Sequence, residues 1–200
     1  MTDAVVAALR RDLAALQPGD EREATSRRET LDALARYPDP FDRDAARPHV
    51  TGSAIVVGPR GVLLHRHKRL GLWLQPGGHV DPGEPPWDTA VRETWEETGI
   101  VAAHPPGGPA LVHVDRHRGG RGHIHLDLRY LLSAGDVDPA PPPGESQEVA
   151  WFPWDAALAT ADAGLIGALR RLRPRHAAGE GSAQRAGGAT MPPRPDAERP

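Results

Sequence analysis

The sequence predicts a mixed α/β domain of the α+β class, with a helical extension before it and a tail after it. Aliphatic runs typical of strands fall on both sides of a segment, 86–98, that has helix signals at both ends. Apolar residues recur at helical spacing over 2–37 and again over 162–172. The predicted organisation is an extension over 1–48, a main domain over 49–173 and a tail over 174–200.

The N-terminal segment 2–37 predicts two helices. The first has apolar residues at helical spacing, namely Val6, Leu9, Leu13 and Leu16. Residues 17–20 interrupt the pattern, and Ser26 with Glu29 resembles a capping box for the second helix. We interpret the segment as a helical hairpin packed beside the main domain. The alternatives are a lid over a substrate and an arm that joins two chains in a homodimer.

The main domain contains five runs that predict strands: 53–58, 62–67, 110–115, 123–132 and 149–152. The first two flank a turn over 58–61, which predicts a hairpin. Pro86 suits the first turn of the helix over 86–98, and Gly99 suits its C-cap. A helix over 162–172 closes the domain, and the proline-rich stretch 135–147 predicts a loop.

Composition excludes several functions. The chain of 200 residues has no cysteine, which excludes disulfides, thiolate metal sites and cysteine nucleophiles. A net charge of −3 implies no general affinity for nucleic acid or other polyanions. No signal peptide or membrane-length apolar run is evident, so we expect a cytoplasmic protein without a membrane partner. The tail over 174–200 has almost no large apolar side chains, which predicts disorder.

Three carboxylates on the predicted helix indicate a metal site. Glu93, Glu96 and Glu97 stand at i, i+3 and i+4, so they share one helix face. Like charges at this spacing destabilise a helix by roughly 0.2–0.5 kcal/mol per pair. Arg92 is the only cation among them. Oxygen ligands suit Mg²⁺ or Mn²⁺, and the alternative is a solvated acidic face.

The segment 78–100 resembles the Nudix box, G-x5-E-x7-R-E-U-x-E-E-x-G-U, in which U is a bulky apolar residue. All seven fixed residues are present: Gly78, Glu84, Arg92, Glu93, Glu96, Glu97 and Gly99. Thr94 stands where an aliphatic residue is usual. The resemblance implies the Nudix fold, an α/β/α sandwich around a mixed β-sheet. It also implies Mg²⁺-dependent hydrolysis of a diphosphate linkage in a nucleoside diphosphate derivative, a small-molecule nucleotide.

The resemblance also implies roles for the residues of the box. Glu93, Glu96 and Glu97 would hold the metal, and Glu97 or Glu93 would double as the catalytic base. Arg92 would orient a ligand carboxylate. In the loop before the helix, the Gly78 carbonyl would ligate metal, and Glu84 would brace the loop or bind a second ion. Related enzymes also use an acid from a later loop, for which this chain offers Glu145 and Glu148.

Four residues outside the box are predicted to bind substrate: Arg66, Lys68, His125 and Arg129. The first two precede the box and could hold phosphates, or could be ordinary exposed cations. The other two lie on a strand, 123–130, with alternating polar and apolar faces, and its polar face lines a cleft or is solvated. A histidine-rich metal site that includes His113 and His117 is a weaker hypothesis, because the spacing fits no tight zinc motif.

Two rival functions are weighed against hydrolysis. Isopentenyl diphosphate isomerases share the fold but need an active-site cysteine, which this chain lacks. Non-catalytic nucleotide-binding modules usually lose box carboxylates, and this chain keeps them. The signatures typical of NADH, ADP-ribose and dinucleoside polyphosphate enzymes are not found after the box. Nucleoside triphosphates, modified nucleotides and nucleotide sugars therefore remain as expected substrates.

Overall fold

The computed structural model describes residues 2–44, 48–119 and 122–180. Within them the helices are α1 (Thr2–Ala15), α2 (Glu21–Arg36), α3 (Pro86–Thr98), α4 (Trp154–Thr160) and α5 (Ala163–Glu180). The strands are β1 (Pro48–Gly58), β2 (Gly61–Arg66), β3 (Trp73–Leu74), β4 (Gly77–His79), β5 (Leu111–Arg118), β6 (Ile124–Ser133) and β7 (Val149–Phe152).

The strands form one mixed sheet with β1 at its centre. The main order is β3-β2-β1-β6-β5, while β4 pairs with β1 and β7 pairs with β2. The β1–β6 pair is parallel and extends from Pro48 opposite Ile124 to Val57 opposite Ser133. The other pairs are antiparallel. This topology confirms the predicted mixed sheet.

Two apolar layers cover the two faces of the sheet. One layer joins α1, α2 and α3 to β1 and β6, and it includes Leu9, Val56 and Leu128. The other joins α4 and α5 to the opposite face, with Ile55 and Leu169. Adjacent strand residues such as Ile55 and Val56 enter different layers because side chains alternate along a strand. The result is the predicted α/β/α sandwich.

The N-terminal helices pack as part of the fold, which supports the structural interpretation of the hairpin. Leu9 and Leu13 of α1 are fully buried. Burial of a leucine side chain contributes roughly 1.5–3 kcal/mol. The predicted capping box at Ser26 is wrong, because α2 already begins at Glu21. Its N-cap is Asp20, whose side chain accepts a hydrogen bond from the Glu23 amide.

Some boundaries differ from the predictions. The strand predicted from residue 53 starts at Pro48, because the first half of β1 pairs with β4 and β6. The short strands β3 and β4 and the helix α4 were not predicted. The last helix extends to Glu180, so the tail predicted from residue 174 begins too early. Residues 181–200 lie outside the described residues.

Among the described residues, none of the helices is both long enough and apolar enough to span a bilayer.

A buried histidine on β5 leads to a prediction about pH. Burial, with a smaller effect of Arg129, lowers the pKa of His113 to about 3 from 6.5. The unfolded chain therefore binds a proton at pH 5 that the folded chain does not, so acid favours unfolding. Wild type should lose about 2 kcal/mol more stability between pH 7 and pH 5 than His113→Gln does. Urea unfolding at both pH values measures this, and equal losses would contradict it.

Candidate active site

The box helix α3 is positioned by its two ends and by a close approach to β1. Pro86 lies in the first turn, and Gly99 ends the helix with a φ of 70°. Its amide donates to the carbonyl of Trp95. Gly52 of β1 lies so close to Pro86 and Thr89 that a Cβ at this position would overlap the Pro86 carbonyl. The carboxylates of α3 are therefore held against the centre of the sheet.

Arg92 joins the acids of the box to each other. Its Nη1 donates to Oε1 of Glu93 and to Oε2 of Glu96, both at 2.8 Å. Its Nη2 donates to Oε2 of Glu84 at 3.0 Å and to the His79 carbonyl at 2.9 Å. This geometry agrees with the orienting role that the resemblance implied for Arg92. A charged guanidinium also reduces the repulsion between the carboxylates.

The strand β4 brings its backbone to the same acids. Gly78 lies against Glu93, and a Cβ on this glycine would overlap the carboxylate. The Gly77 amide donates to Oε2 of Glu97 at 2.9 Å. The imidazole Nε2 of His65 lies 3.6 Å from the same oxygen. Glu93 and Glu97 therefore share one small region with the backbone of β4.

The crowding of carboxylates changes their proton affinity. Burial raises the pKa of Glu97 to about 8, and repulsion from Glu93 adds to this against the opposing Gly77 hydrogen bond. Burial also raises the pKa of Glu93, although Arg92 opposes the rise. A divalent cation beside these groups would favour their charged forms. The oxygen-only donor set fits Mg²⁺ or Mn²⁺.

Glu84 braces the loop before the helix. It accepts hydrogen bonds from Arg92, from the Thr89 hydroxyl at 2.8 Å and from the Asp81 amide at 3.3 Å. Burial alone would raise its pKa, but the bonds from Arg92, Thr89 and Asp81 lower it overall. Of the two roles implied for Glu84, bracing is the one that these contacts support.

The two acids of the later loop occupy different surroundings. Glu145 lies close enough to Glu97 for its charge to raise the pKa of Glu97. Glu148 instead forms an ion pair with Arg66 at 2.9 Å. Of the two, Glu145 is therefore the loop acid whose charge acts on Glu97, and Arg66 has a carboxylate partner already. Lys68 is exposed in the turn between β2 and β3.

Arg129 is held inside the fold. Its side chain is 3% exposed and donates through Nε to Asp127 at 2.9 Å. It also donates to the Gly164 carbonyl at 2.6 Å and lies 3.5 Å from Asp115. This arrangement argues against the substrate contact predicted for Arg129, because the guanidinium is covered by α5. The polar face of β6 is thus partly an internal ion-pair network.

His125 lies in a different part of the same strand face. Together with His49, His79 and His123 it forms a cluster whose candidate ligand nitrogens all lie within 4.8 Å of one another. His113, which was considered for such a site, packs instead against Gly167 of α5.

Sequence reasoning missed several residues of the site. His65, Thr89 and the Gly77 amide contact box acids, yet no periodicity or spacing in the sequence distinguishes them. His79 could have been found from the sequence, because it directly follows Gly78 of the box. His49 was not predictable, because its place depends on the β1–β6 register.

A NUDIX domain model matches residues 47–172. The asymmetrical bis(5'-nucleosyl)-tetraphosphatase of Caenorhabditis elegans is 31% identical over 103 residues, or 50% of this chain and 71% of that protein. An RNA pyrophosphohydrolase of Rhodopseudomonas palustris (strain HaA2) is 26% identical, over 62% of this chain and 83% of that protein. Some other relatives match over less than a third of their own length.

Solved structures agree with the domain model. A NUDIX-family hydrolase from Clostridium perfringens superposes with a TM-score of 0.54 at 27% identity, covering 65% of this chain and 99% of that one. The match with the domain model extends from just before β1 into α5 and includes the entire box. The chain therefore belongs to the NUDIX family.

Proposed function

We propose that this NUDIX enzyme hydrolyses the diphosphate linkage of a nucleotide derivative, with Mg²⁺ or Mn²⁺ held by acids of α3. Glu93, Glu96 and Glu97 supply the carboxylate ligands, and the Gly78 carbonyl is a further ligand. The observation that carries the proposal is the convergence of these acids around Arg92 and against β4. A purely structural helix would not need partly buried like charges at this spacing.

The cation would stabilise negative charge that develops on the diphosphate oxygens. Arg92 holds Glu93 and Glu96 in place through two hydrogen bonds of 2.8 Å. The Gly77 amide fixes one oxygen of Glu97 in the same way. Such fixed ligands reduce the reorganisation needed during the reaction.

The proton of the attacking water passes to a carboxylate at this site. Glu97 is the first candidate: burial raises its pKa to about 8 without a cation, and a bound cation would favour the charged form that can accept a proton. Glu93 is the second candidate, and Glu145 is the third because it lies near Glu97. His65 is a weak candidate, because burial lowers its pKa to about 4.

The substrate is proposed from the named relatives and the expectations of the sequence. Those relatives are a dinucleoside tetraphosphatase and an RNA pyrophosphohydrolase, and both names describe phosphoric anhydrides on a nucleoside. Dinucleoside tetraphosphates are therefore candidate substrates as well, although the chain has no tyrosine at the spacing typical of the enzymes that act on them. Arg66 and Lys68 remain proposed substrate contacts, and His125 is one only where its imidazole holds no metal ion. The burial of Arg129 disfavours the contact proposed for it.

A substrate panel tests the proposal. Full-length protein is incubated with nucleoside triphosphates, modified nucleotides, nucleotide sugars, dinucleoside tetraphosphates and 5'-triphosphate RNA, each with Mg²⁺ or Mn²⁺. Release of phosphate, pyrophosphate or mononucleotide is measured. We expect turnover of at least one class that EDTA abolishes. Binding of nucleotides without hydrolysis of any compound would favour the alternative, a non-catalytic nucleotide-binding module.

A further inference from the structure

Four histidines from three separate parts of the chain meet beside the box. His49 lies on β1, His79 ends β4, His125 lies on β6, and His123 comes just before that strand. One candidate ligand nitrogen from each lies within 4.8 Å of every other. Their positions are fixed by pairing, because His49 and His125 are direct partners in the parallel β1–β6 ladder.

The chemistry of this cluster differs from that of the box. Imidazole nitrogen suits Zn²⁺ and neighbouring transition metals, whereas carboxylate and carbonyl oxygens suit Mg²⁺. We propose that His49, His79, His123 and His125 form a second metal site, which binds Zn²⁺ or a similar transition-metal ion. This inference does not depend on the proposed hydrolysis.

The arrangement of the rings fits a tetrahedral ion after a small adjustment. Four nitrogens at 2.0–2.1 Å from zinc lie roughly 3.3 Å apart, so the longest separations must shorten by about 1.5 Å. Half-buried imidazoles can supply this by rotating about their side-chain bonds. The rings of His49 and His123 meet at 87°, and those of His79 and His125 meet at 85°. The rings of His49 and His79 are instead stacked at 30°, so the four imidazoles approach the cluster in more than one plane.

Buried nitrogens give a second and independent observation. Nε2 of His79 and Nε2 of His125 are buried and make no hydrogen bond within the described parts of the chain. Buried polar atoms nearly always have a partner, and an atom without one needs an explanation. Coordination to a metal ion, directly or after rotation of the ring, would give these nitrogens a partner.

The proposed ion would connect the cluster to the active site. The His79 carbonyl accepts a hydrogen bond from Arg92, and the preceding strand residues contact Glu93 and Glu97. An ion that joins His79 to β1 and β6 would therefore hold β4 in place. Its expected effect is structural, namely a rise in melting temperature when the ion binds.

The test measures Zn²⁺ binding to tag-free, full-length protein that has been stripped with a chelator and then given saturating Mg²⁺ to occupy the box. Calorimetry with ZnCl₂ and elemental analysis after gel filtration should give one Zn²⁺ per chain. Co²⁺ in its place should show the intense visible absorption of tetrahedral coordination. The melting temperature should rise with Zn²⁺.

Matched variants decide where the ion binds. His123→Gln and His125→Gln should each weaken Zn²⁺ binding by at least about 10–100-fold, since even loss of a residue that only supports a ligand costs this much. His104→Gln, a histidine outside the cluster, and Glu97→Gln should bind as wild type does. Circular dichroism and an unchanged melting temperature without Zn²⁺ would confirm that each variant folds. Loss of the His123 imidazole should be tolerated, because this residue is half-buried and lies outside the strands.

Two results would overturn the proposal. One is wild-type protein that binds no Zn²⁺ under these conditions. The other is binding that survives in both His123→Gln and His125→Gln and is abolished in Glu97→Gln, which would place the ion at the box.

Discussion

Replacing Glu97 by glutamine is expected to lower turnover by at least about a hundredfold, because loss of one metal ligand removes several kcal/mol of transition-state stabilisation. Glutamine keeps the shape of the side chain and can still accept the hydrogen bond that the Gly77 amide donates at 2.9 Å. The fold should therefore survive. Steady-state kinetics on the best substrate of the panel measures the effect. Glu21→Gln, an exposed change on α2, is the matched control and should be silent.

The same variant tests the electrostatics of the site through its stability without divalent cations. Burial raises the pKa of Glu97 from 4.5 to about 8 in the folded protein. A raised carboxyl pKa means that its contribution to stability is complete below pH 4.5 and is lost as the pH rises through 8. Glutamine does not titrate, so the stability of Glu97→Gln relative to wild type should increase between pH 5 and pH 8. In the kinetic measurement, near-normal hydrolysis by Glu97→Gln would refute the assignment of Glu97 as a metal ligand.

Features with local causes were predictable from the sequence. The box helix has the predicted bounds, 86–98, because a proline at its start and a glycine after its end are signals that act within one turn. Three carboxylates at i, i+3 and i+4 had to share one face, and they do. The strand over 149–152 was also predicted with the correct ends.

Features that depend on pairing between distant strands were not predictable. β4 consists of Gly77, Gly78 and His79, a segment with little strand propensity that is ordered by pairing with β1. The histidine cluster depends on His49 lying opposite His125, 76 residues further along the chain. The alternating pattern of β6 revealed two faces but not what covers each of them. That is why Arg129 looked like a residue of an open cleft.

The Arg129 ion pairs join β5 to β6, and hydrogen bonds to Asp127 add β1. Asp127 accepts hydrogen bonds from Thr51 and Ser53 of β1 as well as from Arg129. Burial would raise the pKa of Asp127, but the charge of Arg129 lowers it overall. The pKa of Asp115 is likewise lowered against burial by His117, Arg22 and Arg129. Both carboxylates therefore stay charged inside the protein, and both depend on the positive charge of Arg129.

Arg129→Ala is expected to destabilise the protein by about 3–5 kcal/mol, because removal of one partner leaves a buried charge uncompensated. Urea unfolding at pH 7 measures the loss. Arg118→Ala, an exposed arginine on β5, is the matched control and should change stability by less than about 0.5 kcal/mol. Adding Asp127→Asn to Arg129→Ala should recover part of the loss, since the two effects are coupled through one contact. If Arg129→Ala instead keeps wild-type stability and raises KM, the guanidinium binds substrate and its burial under α5 is not what holds it.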